Sequence, residues 1–86
     1  MKNIHNALSQ VVELYKQDTI DYEVVQHLVD DGLYIVNIYN RTAPNSVLQV
    51  EVIDDNGVPK CCVLQNMNVG RRSMVRFMNR LVDALE

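Results

Sequence analysis

The chain has no tryptophan and only one phenylalanine, Phe77, beside four tyrosines. Three glycines and two prolines are too few for a low-complexity or collagen-like chain. The two cysteines, Cys61 and Cys62, are adjacent. Neighbours make no useful staple, and on a strand they point to opposite faces, so free thiols are expected. No apolar run reaches the roughly eighteen residues that a membrane-crossing helix needs. Met1 to Asn6 lack the apolar centre of a secretory leader. The expectation is a cytoplasmic protein with no membrane partner.

Catalytic signatures are missing as well. There is no glycine-rich phosphate loop and no visible pairing of a nucleophile with a base. His5 and His27 are the only histidines, and neither has Cys, His or carboxylate neighbours at ligand spacing. Asp30-Asp31 and Asp54-Asp55 stand in turn contexts, where Asp is favoured by turn geometry alone. No enzyme, no metal and no cofactor is expected.

What is present is a hydrophobic content of 48%, enough for one globular domain over residues 1–86. Charge is unevenly spread. Residues 1–66 carry nine acids and four bases, whereas residues 67–86 carry four arginines against Asp83 and Glu86. An acidic body with one basic segment lacks the broad positive footprint of a general nucleic-acid binder. It suits a local anion site or an oppositely charged partner.

The basic segment is an amphipathic helix. Met74, Val75, Phe77, Met78, Leu81, Val82 and Leu85 recur at helical spacing and form one side. Arg72, Arg76 and Arg80 recur at i, i+4 and i+8 on the other, with Arg71 beside them. Asn68 is the expected N-cap. These arginines either pair with the acidic body or form a binding surface for an anion or nucleic acid. A second helix is expected over residues 2–17. There Ile4, Ala7, Leu8, Val11, Val12, Leu14 and Tyr15 fall within an arc of roughly 160°.

Between the helices the apolar period changes to two. Residues 33–40 read as a strand. Asn56-Gly57 between apolar runs marks a hairpin over residues 47–66, pairing Val52 with Cys61 and Val50 with Val63. Pro59 falls opposite Asp54 with its nitrogen turned outward, which marks a sheet edge. Residues 41–46 read as a polar loop turning at Pro44. Residues 18–32 fit either a helix ending at Gly32 or a strand. The strand reading turns at Asp31-Gly32 and sets Val29, His27 and Val25 opposite Tyr34, Val36 and Ile38. It matches polar with polar and apolar with apolar along the ladder.

The resulting fold is α+β: a two-layer sandwich with an antiparallel four-stranded meander, α-β-β-β-β-α, and both helices on one face. The alternative order is α-α-β-β-β-α. In the first arrangement the uncovered face shows Val24, Leu28, Leu33, Ile35, Tyr39, Ile53 and Leu64, and a solvated sheet face is normally more polar than that. The function expected is a small non-enzymatic interaction module. It docks through this face to itself as a homodimer or to a partner protein, for example as an inhibitor or regulator of viral or mobile-element type. The alternative is a nucleic-acid-binding domain using Arg71, Arg72, Arg76 and Arg80.

Overall fold

The computed structural model describes residues 1–14, 19–28 and 32–86. The order is α1 (Ile4–Leu14), β1 (Ile20–Leu28), β2 (Leu33–Asn40), β3 (Ala43–Asp55), β4 (Val58–Met67) and α2 (Arg71–Leu85). The strands form one antiparallel sheet in the order β1-β2-β3-β4. This is the α+β meander with a helix at each end, and within the ambiguous stretch Ile20–Leu28 is a strand.

α1 starts where Asn3 caps it. The Asn3 Oδ1 accepts the N–H groups of His5 (2.9 Å) and Asn6 (3.2 Å), satisfying donors that the first helical turn leaves orphaned. Its buried side is Ile4, Ala7, Leu8 and Val11. Leu14 is 57% exposed, so the buried arc is narrower than the sequence suggests. Tyr15, the last residue of the expected arc, lies outside the described residues. On α2 the buried residues are Phe77, Leu81 and Leu85. Both helices cover one face of the sheet through Val36, Ile38, Leu48, Val50 and Val52. The start of α1 meets the end of α2, where the Lys2 N–H donates to the Leu85 carbonyl at 2.9 Å. Among the described residues no polar side chain is buried, so the core is purely apolar.

The β3–β4 hairpin closes at Asn56 (φ 51°) and Gly57 (φ 86°), the paired positive φ angles of a type I′ turn. Val52 pairs with Cys61, Val50 with Val63 and Asp54 with Pro59, as the sequence predicts. Beyond Val63 the register shifts at a bulge, so Leu48 meets Asn66 and not Gln65. Residues 41–46 are not a loop. The chain turns tightly at Arg41-Thr42, where Asn40 Oδ1 accepts the Thr42 N–H (3.0 Å) and hydroxyl (2.8 Å), and Pro44 already belongs to β3.

The β1–β2 pairing departs further from expectation. The closing described pair is Leu28↔Leu33, and a second shift at Val25 brings Val24 opposite Val36 and Tyr22 opposite Ile38. The expected Val29↔Tyr34 pair and Asp31 of the expected turn lie outside the described residues. Gly32 stands next to this pairing. Its φ is +58°, and its carbonyl accepts the Asp54 N–H at 2.9 Å, which ties it to β3. A Cβ at Gly32 would sit 3.2 Å from the Asp54 Cβ and 3.3 Å from the Asp54 carbonyl oxygen. Gly32→Ala is therefore expected to cost about 1–2 kcal/mol through left-handed backbone strain, read as a lower midpoint in urea unfolding. An unchanged midpoint would show that the turn relaxes freely.

Candidate interaction site

The register sets four rows across the open side of the sheet. Leu28, Leu33, Ile53 and Lys60 form the row nearest the β1–β2 turn, and Gln26, Ile35, Glu51 and Cys62 form the next. Glu23, Asn37, Gln49 and Gln65 follow, and Asp21, Tyr39, Val47 and Met67 complete the face. The third row is polar from edge to edge, and Gln49 Nε2 donates to Asn37 Oδ1 at 3.0 Å within it. The open face is thus a mixed surface with one apolar corner, not a continuous apolar sheet.

That corner brings together four residues singled out from the sequence: Leu28, Leu33, Ile35 and Ile53. Leu28 is exposed and the other three are half-buried. Tyr39 lies on the same face but beyond the polar row. Leu64 is the extra residue of the β4 bulge and is exposed. Val24 is a correction. It packs on the core with Ile20 and Tyr22, because the bulge at Val25 reverses the alternation of the first half of β1. Val25 consequently stands 44% exposed and does not reach the core.

Glu51 is the residue that sequence reasoning passed over. Its neighbours along the row are Ile35 and Cys62, and Ile53 follows on the same strand face. Among the described residues it forms no ion pair and accepts no side-chain hydrogen bond. The nearby cation is already engaged, since Lys60 Nζ donates to Asp55 Oδ2 at 2.7 Å. Only the register, which sets this acid at the border between the apolar corner and the polar row, distinguishes it from an ordinary solvated glutamate.

Both sheet edges are blunted. β1 bulges at Val25, β4 bulges after Val63, and Pro59 removes one N–H from the β4 edge. Such features discourage edge-to-edge pairing.

The outer side of α2 is the second surface. Arg71, Arg72, Val75, Arg76, Asn79 and Arg80 share it, opposite the side that carries Phe77, Leu81 and Leu85. Among the described residues Arg71, Arg72 and Arg76 form no ion pair, so no described acid pairs with them. Asn68 is not the cap. It has a positive φ of 58°, and Gly70 takes the cap position with no side-chain hydrogen bond. Val75 is 46% exposed beside the arginines, a residue the helical period assigned to the core.

Cys61 faces the core and Cys62 the open side, as alternation predicts. Burial, and secondarily the adjacent Cys62, pushes the Cys61 thiol from 9.0 up to about 11. A thiolate there is disfavoured by the fold. The stability linked to Cys61 is therefore whole below pH 9.0 and lost as pH rises towards about 11. At pH near 8, Cys62 is expected to react with a disulfide reagent at least about tenfold faster than Cys61. Release of both thiols together from the native protein would contradict the placement. His27 stacks on Tyr34 at a centroid distance of 4.1 Å and is exposed. It does not oppose Val36 as the sequence suggests. Among the described residues no group of three or more His, Cys, Asp or Glu side chains is placed to hold a metal ion. No described helix is long and apolar enough to cross a membrane.

Comparison with protein-family models, curated proteins and solved structures finds no match to this chain.

Proposed function

We propose that this chain is a small non-enzymatic docking module that seats the apolar corner of its open sheet face on a basic protein surface. The observation that carries the reading is Glu51, which has no ion pair among the described residues and lies between Ile35 and Cys62 with Ile53 next on its strand face. Apolar contacts supply buried area, and a guanidinium or ammonium of the partner meets Glu51. A second copy suits this face poorly. A two-fold face-to-face dimer with its axis near Glu51 would bring this acid towards its own symmetry mate, and like charges across an interface oppose association. An acidic sheet seated on a basic surface competes with the anion that surface would otherwise hold, so docking would act as inhibition or regulation.

The test is capture of partners from cell extract by the folded chain, alongside Ile35→Asp, Glu51→Lys and Arg72→Glu variants. The captured proteins are expected to be basic and to be lost by at least about tenfold with the first two changes, as one desolvated contact predicts. They should be retained with the third. Capture that is indifferent to Ile35→Asp and Glu51→Lys overturns the reading. A dimer in light scattering that Ile35→Asp dissociates replaces the basic partner with a second copy.

A further inference from the structure

We infer that the outer side of α2 is an independent docking surface for the phosphodiester backbone of a nucleic-acid duplex. Arg72 and Arg76 stand one helical turn apart, about 6 Å along the axis, and Arg71 flanks them. A duplex carries one negative charge per about 1.7 Å of its length, so cations at this spacing each meet a phosphate with no fixed register. Guanidinium groups grip phosphate oxygens with two parallel hydrogen bonds. The cations that carry this surface, Arg71, Arg72 and Arg76, have no ion pair among the described residues. Arg80, further along the stripe, has a contact of its own.

Other occupants fit less well. No aromatic side chain lies on this side of α2, so stacking of single-stranded bases has no platform. Val75 is the one apolar residue among the arginines, too little for the apolar centre of a protein interface. Asp83, exposed two turns beyond Arg76, is the acid nearest the stripe along the helix. The net charge of −3 opposes any polyanion, which makes the contact weak and most visible at low salt. The remaining acids of the open face lie on the far side of the sheet, and salt screens them beyond about 10 Å.

The test is fluorescence anisotropy of labelled DNA and RNA duplexes of about 20 base pairs, titrated with the intact chain at several salt concentrations. Three neutralised phosphates give a slope of about −2.7 in log affinity against log salt, or roughly 40-fold weaker binding between 50 and 200 mM. Arg71→Gln/Arg72→Gln/Arg76→Gln is expected to weaken binding at least tenfold and to flatten that slope, with the far-ultraviolet circular dichroism unchanged. Ile35→Asp is expected to leave it alone, which separates this surface from the sheet face. Equal affinity for the two duplexes is expected of a backbone contact. No binding at low salt, a triple variant that binds as well as the native chain, or a preference above tenfold for one duplex overturns the inference. So does displacement of the duplex by polyglutamate at less than about a tenth of the charge concentration that unlabelled duplex requires, which would point to an acidic protein segment.

Discussion

Leu81→Ala is expected to remove about 3–5 kcal/mol and leave the protein close to unfolding. Leu81 is fully buried on α2, in one cluster with Leu8 and Val11 of α1 and with Val36, Val50 and Val52 of the sheet. Truncation loses the transfer free energy of the side chain and leaves a cavity at the junction of both helices with the sheet. That junction cannot collapse without moving a whole element. A domain of 86 residues has a total stability of roughly 4–13 kcal/mol, so this one change consumes a large part of it. With a urea dependence near 1–1.5 kcal/mol per molar, the unfolding midpoint should fall by about 3 M. Val75→Ala, at an exposed position on the same helix, serves as the control and should stay within about 0.5 kcal/mol. Equal shifts for the two variants would mean that α2 is not docked on the sheet.

The parts of the fold that were legible in the sequence are those fixed locally. Asn56-Gly57 determines a turn by its own backbone preferences, and the β3–β4 register follows from it as far as Val63. The 3.6-residue period likewise placed Phe77, Leu81 and Leu85 on one side of α2 and the arginines on the other. The errors arose where a non-local contact decides the outcome. Gly32 is held by Asp54, which is distant in sequence, and the bulge at Val25 follows from packing Tyr22 and Val24 under the helices. A single-residue slip exchanges the faces of a strand, so Val24 moved from the proposed surface to the core. The same limit applies to charge. The arginine stripe was legible, but whether acids reach it depends on how the hairpins are placed, and three of its members turn out to have no ion pair among the described residues. Glu51 was visible only as one polar residue in an alternating strand. Its meaning depends on Ile35 beside it across the β2–β3 pair.

The two surfaces have opposite charge and lie on opposite sides of the molecule, whose extents are 36 × 21 × 19 Å. Docking at both, as proposed, would place a basic protein on one side and a phosphate backbone on the other. The cost of the basic side can be measured in the isolated chain. Arg71 and Arg72 occupy the first turn of α2, where the helix dipole is positive and each cation costs about 0.3–1 kcal/mol. Arg72 also repels Arg76 at i+4 by about 0.2–0.5 kcal/mol. The double change Arg71→Glu/Arg72→Glu reverses both terms and adds acids at the end of the helix that favours them. It is expected to raise stability by about 2 kcal/mol, seen as a higher urea midpoint at low ionic strength and a smaller gain in high salt. The same variant should lose duplex binding. Arginines that merely decorate a solvated face would give the gain in stability with no duplex binding to lose, whereas a gain in stability coupled to a loss of binding identifies residues retained for a contact at the expense of the fold.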